Sequence, residues 1–278
     1  MKRCLVGSEM CIRDRDRTIP SHSAGCGVKR MQHGGNKAST VNQGTRGTSG
    51  GKNKLELADE EAVALVFNGS TLAVMMATPS EIQDFACGFA ITEGIVSSID
   101  QIDEISLQRH ELGIEAQIWL NSDRADVLAD RRRASTGPVG CGLCGIESLE
   151  QASRPLPVLP ISVSKFTKRD LSNAANELRN WQPLHDRTHA VHAAAFAMPE
   201  KGIVIAREDV GRHNALDKLV GALALNDVEP SDGAIIMTSR LSSELLQKCA
   251  FAGCGILLTV SPPTSLATQL AQKSGITI

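Results

Sequence analysis

The chain has 278 residues, with 29 Lys and Arg against 31 Asp and Glu, a formal net charge of −2. That balance excludes bulk nucleic-acid binding, which needs a basic excess to neutralise phosphates. An aromatic content of 3% with no Tyr removes the stacking platforms of single-strand binders. The 42% hydrophobic residues suffice for an aliphatic core.

No apolar run reaches the roughly 18 residues of a membrane span, and the N-terminus lacks the apolar stretch of a secretory signal. The eight cysteines are therefore expected to be reduced, in the cytoplasm.

Charge is unevenly spread. Residues 1–53 carry a net +7, nine of the 24 glycines and no hydrophobic periodicity. The run Gly44–Gly51 cannot bury enough apolar surface to offset chain entropy, so 1–53 reads as a disordered or non-native basic extension. Residues 54–278 carry a net −9 and are expected to hold the ordered domain.

In that region Ala62–Phe67 and Thr71–Met76 flank Asn68-Gly69, a two-residue hairpin turn. Ser80 and Gln83 have capping-box spacing, and the apolar positions that follow predict a helix over Ser80–Val96. Ile114, Ala116, Ile118 and Leu120 alternate as in a half-buried strand, with Ile105 and Leu107 as its hairpin partner. Asp126–Arg133 reads as a short helix, and Lys168–Trp181 as a longer one. Strands Ile203–Ala206, Ala234–Thr238 and Ile256–Val260 then alternate with helices near Asn214–Leu225, Ser242–Ala252 and Ser265–Lys273. This rhythm implies a sheet covered on both faces. With the earlier hairpins added, the expected fold is an α/β class, three-layer α/β/α sandwich with a mixed sheet.

Ala134–Gly145 holds too many helix and strand breakers to be anything but a loop. Within it Cys141 and Cys144 form a lone CxxC flanked by Gly140, Gly142 and Gly145. Three readings compete. A zinc-stabilised binding module would need two more ligands, for which His189 and His192 are available. A dinucleotide fingerprint needs a strand directly before it, and here the preceding residues are Arg-Arg-Arg-Ala-Ser-Thr-Gly-Pro. A reactive thiol suits the setting best: glycines leave the sulfur uncovered and let backbone N–H groups point at an anion, and a helix beginning near Glu147 would favour thiolate.

The strand ends are polar. Ile203–Ala206 runs into Arg207-Glu208-Asp209-Val210-Gly211-Arg212-His213-Asn214-Ala215-Leu216-Asp217-Lys218. Ligands of open α/β sheets bind beyond the carboxyl ends of strands, so Arg207, Asp209, Arg212, His213 and Lys218 are candidate ligand contacts. Arg240 and the hydroxyls of Ser239, Ser242 and Thr264 sit at the next strand ends. Hydroxyls, arginine and free helix N-termini suit a phosphate-bearing ligand, and Ser242 and Thr264 also read as N-caps.

Cys-Gly-Leu-Cys-Gly, the Arg207–Lys218 string and Val260-Ser-Pro-Pro-Thr-Ser-Leu-Ala together resemble the formate dehydrogenase accessory sulfurtransferase (FdhD) family, as do Met76–Phe89 and Thr92-Glu-Gly-Ile. The resemblance implies a cytidine-deaminase-like fold without deaminase chemistry. It implies a sulfur carrier that takes sulfane sulfur from a cysteine desulfurase and hands it to the molybdenum cofactor, in its guanine dinucleotide form, before insertion into apo formate dehydrogenase. It assigns the persulfide to Cys141, with Cys144 as the second cysteine of the motif; the polar strand ends, Arg207, Asp209, Arg212, His213, Lys218 and Arg240, are then expected to bind the cofactor. It needs no resident metal and is compatible with a homodimer. A non-catalytic molybdenum-cofactor chaperone is the alternative to a sulfurtransferase. The family's Ser-Gly-Arg stands here as Thr238-Ser239-Arg240, and its Gly-Phe-x-(Arg/Lys) stretch is absent before Ile278, which reads as a shortened C-terminus.

Overall fold

The computed structural model describes residues 56–121, 155–160 and 166–278. The basic extension, the Asp126–Arg133 helix and the loop with Cys141 and Cys144 lie outside the described residues.

The first sheet comes from two hairpins. Strands β1 (Glu61–Phe67) and β2 (Ser70–Ala77) are joined by Asn68 at φ 47° and Gly69 at φ 74°, the left-handed pair that matches strand twist in a two-residue turn. Strands β3 (Ile102–His110) and β4 (Gly113–Leu120) pair antiparallel, β1 and β4 pair parallel, and the order is β2-β1-β4-β3. Val63, Leu65 and Phe67 stand opposite Ile114, Ala116 and Ile118 on one buried face.

Helix α1 (Ile82–Thr92) packs on that face. It is shorter than the predicted Ser80–Val96 and has no capping box: the N-cap is Glu81, left-handed at φ 48°, with no side-chain cap. The chain arrives from Thr78, whose N–H, C=O and hydroxyl are all bonded to the second half of the protein. That anchoring sets the entry direction and leaves Ser80 outside the helix. Gly94, at φ 67°, closes the other end by donating to the Ile91 carbonyl, so the helix stops before Val96.

Helix α2 (Lys168–Glu177) begins at a capping box that the sequence reading overlooked: Thr167 Oγ1 accepts from the Asp170 N–H while Asp170 Oδ2 accepts from the Thr167 N–H. It tightens into a 3₁₀ turn at Leu178–Trp181, and a short helix α3 (Pro183–Thr188) follows. Then come β5 (His192–Met198), β6 (Gly202–Asp209), α4 (Arg212–Leu225), β7 (Ala234–Arg240), α5 (Ser243–Phe251), β8 (Leu257–Ser261) and α6 (Ser265–Ser274). The second sheet has the order β6-β5-β7-β8, with β7 and β8 parallel and β5 antiparallel to both of its neighbours. Strands β6, β7 and β8 therefore end at the same edge.

The α/β sandwich is present around this second sheet. Ala174 of α2 and Leu178 of the 3₁₀ turn cover one face, against Ala193, Ala195, Ala197, Ile203 and Ile236. Helices α1, α4 and α5 cover the other, over Ala194, Phe196, Ile235 and Met237. The predicted single mixed sheet is instead two mixed sheets, because the N-terminal hairpins pair with each other and bury their apolar face on the far side of the same helices.

The middle layer depends on two glycines. A Cβ at Gly88 of α1 would lie 1.7 Å from the Asp217 carbonyl oxygen, and one at Gly221 of α4 would lie 1.9 Å from that of Asp84. Both obstructions are backbone, so the helices cross with main chain against main chain and leave no room for a methyl group. Gly221→Ala gains helix propensity but must push the helices apart. The expected net loss is about 1–3 kcal/mol or more, read as a lower urea midpoint with an unchanged m-value.

Candidate functional site

The shared edge where β6, β7 and β8 end is built around the β6–α4 turn. Along β6, alternate side chains take opposite faces. Arg207 and Asp209 point to the helical layer, where their partners are Asp84 of α1 and Lys218 of α4. Glu208 points to the other side and accepts the Leu184 and His185 N–H groups at the start of α3, at 2.7 and 2.8 Å. Burial raises the Glu208 pKa, opposed by those two bonds.

Asp209 is fully buried and fully engaged. Oδ1 accepts the Gly211 N–H at 2.8 Å and the Asn214 amide at 3.0 Å. Oδ2 accepts the Thr78 N–H at 3.0 Å and faces Lys218 Nζ at 2.7 Å. Lys218 also donates to the Thr78 carbonyl at 2.8 Å and exposes none of its surface. These two predicted ligand residues are therefore committed to one another and to the strand end of the first sheet.

Arg212 and His213 are placed differently. They open α4, whose N-cap, Gly211, gives no side-chain cap. Arg212 Nε is buried without a hydrogen-bond partner. His213 is nearly buried, and its Nε2 lies 3.4 Å from Glu244 Oε2, within ion-pair range but without hydrogen-bond geometry. His192 of β5 stands in the same neighbourhood. Its pKa is lowered, first by burial and then by the positive field of Arg212, which keeps the imidazole neutral.

Ser242 does not cap α5. Its hydroxyl donates to Glu244 Oε2 at 2.7 Å, so the first N–H groups of α5 keep no side-chain acceptor from Ser242. Thr264 caps α6 as expected, accepting from the Ala267 N–H at 3.2 Å. Two helix N-termini and a guanidinium with an unused N–H thus meet at one edge, beside the His213–Glu244 pair. Such groups suit an oxyanion.

Glu244 is pulled down to about 2, first by His213 and then by the Ser242 hydroxyl and the Arg212 charge, against the cost of partial burial. A depressed carboxylate contributes stability that is present above its unfolded pKa of 4.5 and lost as pH falls toward the folded value. Between pH 5 and 2 the native chain should therefore lose more thermal stability than Glu244→Gln. Parallel acid-titration curves for the two proteins would contradict this assignment.

Arg207 belongs to a neighbouring cavity of about 460 Å³ lined by Ser80, Glu81, Trp181, Leu184, Arg187 and Glu208, among others. Its Nε donates to Asp84 Oδ2 at 2.7 Å and its Nη1 to the Ala206 carbonyl at 2.8 Å. Arg240 ends β7 with its side chain exposed. The structure thus groups Arg212 and His213 with each other, sets Arg207 in an adjoining wall, and makes Asp209 and Lys218 internal. Asp84, Thr78 and Glu244 are contributors that motif reading missed. Only the turn-forming Thr78-Pro79 step hinted at the second of them.

Among the described residues no three His, Cys, Asp or Glu side chains are grouped as a metal would require. His185 and His189 stack edge to face at 5.3 Å, and His185 Nδ1 contacts the Val191 carbonyl. No described helix is long and apolar enough to cross a membrane. Cys87, Cys249 and Cys254 are buried free thiols, all with raised pKa, Cys87 to about 12 and Cys254 to about 11, chiefly through burial. None of them is a thiolate nucleophile at neutral pH.

Comparison with known proteins places this arrangement. Two curated relatives are named sulfur carrier protein FdhD. The one from Agrobacterium fabrum is 46% identical over 220 residues, 79% of this chain and 81% of the relative. The one from Cupriavidus necator is 46% identical over 223 residues, 80% of this chain and 77% of the relative. A solved structure described as a formate dehydrogenase accessory protein, from Desulfotalea psychrophila, superposes with a TM-score of 0.57 at 25% identity, covering 80% of this chain and 82% of that one. The FdhD/NarQ family matches residues 58–278, a span that includes both sheets, the β6–α4 turn and the Cys141–Cys144 motif. The chain belongs to the FdhD/NarQ family.

Proposed function

We propose that this protein is a cytoplasmic sulfur carrier that serves formate dehydrogenase. The observation that carries the reading is the family match, which spans a CxxC in a glycine-rich segment while the described thiols are buried and protonated. Carrier chemistry needs a thiolate, which within the matched span 58–278 leaves Cys141 and Cys144 as the candidates.

In this reading the Cys141 thiolate attacks the terminal sulfur of a persulfide on a cysteine desulfurase. An S–S bond forms at Cys141, and the donor cysteine leaves as thiolate. The terminal sulfur then passes to the molybdenum cofactor, the substrate of the second half-reaction, before apo formate dehydrogenase receives it. Cys144 attacks Cys141 Sγ, the bond to the terminal sulfur breaks, and that sulfur leaves with the electron pair as hydrosulfide for the cofactor. The Cys141–Cys144 disulfide so formed is reopened by a thiol reductant.

The cofactor carries phosphates, and the residues present fit them. The N-termini of α4 and α5 with Arg212 Nε supply unused donors of the right sign, and His213 stands beside them with its Nε2 3.4 Å from Glu244 Oε2. Arg207 and Arg240 flank them, while Asp209 and Lys218 hold the turn from behind.

The test is loading. Incubation with a desulfurase and cysteine should add the mass of one sulfur, and digestion should map it to the peptide containing Cys141. A chain that gains no sulfur, or gains it elsewhere, overturns the reading.

A further inference from the structure

Lys218 and Asp209 look like ligand residues in the sequence, and the structure gives them another task. Resting on the anion-binding role proposed for Arg212 and His213, we infer that the Asp209–Lys218 pair and Thr78 form a buried clasp that positions the β6–α4 turn for its ligand. Lys218 and Asp209 are positioning residues and touch no ligand.

The clasp draws on every polar group of Thr78 and both carboxylate oxygens of Asp209. Thr78 uses its N–H on Asp209 Oδ2, its C=O on Lys218 Nζ and its hydroxyl on the Val210 N–H, at 3.0, 2.8 and 3.1 Å. Asp209 Oδ1 holds the Gly211 N–H and the Asn214 amide, and Asn214 reaches on to the Met76 carbonyl at 2.8 Å. Val210, Gly211 and Asn214 are thus tied on both sides of Arg212 and His213, with the two residues between them left free of the clasp. A side chain at Gly211 would have to displace the Asn214 amide, since a Cβ there would lie 2.8 Å from its nitrogen.

A buried ion pair is a weak device for stability alone, because desolvation offsets the attraction. It is a strong one for geometry. Four donors on the two Asp209 oxygens, the lysine among them, fix the backbone direction from which α4 starts, and with it the aim of its first N–H groups. The partners come from the end of β2, more than 130 residues earlier in the chain, so the first sheet sets the geometry of an edge that belongs to the second.

The test uses the full chain and inorganic pyrophosphate as probe, titrated calorimetrically well below the melting temperature of every variant. Lys218→Met is compared with Leu223→Ala, a cavity in the same helix at a fully buried position remote from the turn. Both should melt earlier. Only Lys218→Met should weaken pyrophosphate binding, by tenfold or more. Thr78→Val, which removes just the acceptor for Val210, provides a milder variant should Lys218→Met not fold, and should weaken binding three- to tenfold. Native-like affinity in folded Lys218→Met or in Thr78→Val, or an equal loss in Leu223→Ala, overturns the positioning role. Failure of the native chain to bind pyrophosphate overturns instead the anion site on which the role rests.

Discussion

Cys141→Ala should take up no sulfur on its CxxC peptide when incubated with a cysteine desulfurase and free cysteine, whereas Cys144→Ala should still accept one. The asymmetry follows from the division of labour proposed for the two thiols. Transfer begins with a nucleophilic thiolate, and without it no mixed bond to the donor forms, so the loss is of orders of magnitude. The second cysteine acts only after loading, so its removal should leave the persulfide intact and longer-lived while activation of formate dehydrogenase falls. Intact mass with and without a thiol reductant separates the cases: a reducible gain of one sulfur on native chain and Cys144→Ala, none on Cys141→Ala. Substitution of Cys87, Cys249 or Cys254 should leave loading untouched, since burial holds those thiols protonated. Equal loading of Cys141→Ala and the native chain would move the carrier role to another residue.

Local signals carried much of the fold. Asn68-Gly69 specified its hairpin because a left-handed pair matches the strand twist, and the continuous apolar runs of β6 and β7 announced strands of a sheet covered on both faces, whereas in β8 only Leu257 is buried and Val260 is exposed. The polar edge after β6 was legible for the same reason, since strand, glycine and charged helix start follow one another in the chain. Long-range pairing was not legible. Nothing near β1 says that it will lie beside β4 rather than join β5–β8, and so one sheet was expected where two form. The roles within the site failed at the same boundary. Asp209 and Lys218 read as ligand contacts because their neighbours in sequence are charged, but their partners sit at Thr78. Glu81 illustrates the converse: a capping box at Ser80 and Gln83 is correct local chemistry that the anchored Thr78 overrides.

The second cluster hidden from sequence makes the largest stability prediction. Lys248 of α5 lies 2.9 and 3.0 Å from the two Asp217 carboxylate oxygens, 2.9 Å from Glu93 Oε1 and 3.1 Å from Thr92 Oγ1, and sits 5.3 Å from the centre of the Phe89 ring. Thr92 also donates to Asp217 at 2.6 Å. Three helices are thereby joined by charge inside an aliphatic layer. Burial pushes the Asp217 pKa up, and Lys248 with the Thr92 bond pulls it back. Lys248→Met removes the main counter-charge and should cost about 3–5 kcal/mol at neutral pH. The pH dependence carries the diagnosis. A carboxylate whose folded pKa is raised binds protons more readily in the native than in the unfolded state, so its destabilising effect grows as pH rises from the unfolded value of 3.8 toward the folded one and is constant above it. The gap between native chain and Lys248→Met should therefore narrow as pH is lowered from 7 toward 5, where Asp217 of the variant can take a proton and become neutral. The double variant Asp217→Leu/Lys248→Met, with no charge left unpaired between these two, should recover much of the loss at pH 7 and show the same gap at both pH values. Urea unfolding at each pH measures all three. A deficit in Lys248→Met that stays constant with pH would mean that lost packing of the lysine stem, rather than the stranded carboxylate, sets the cost.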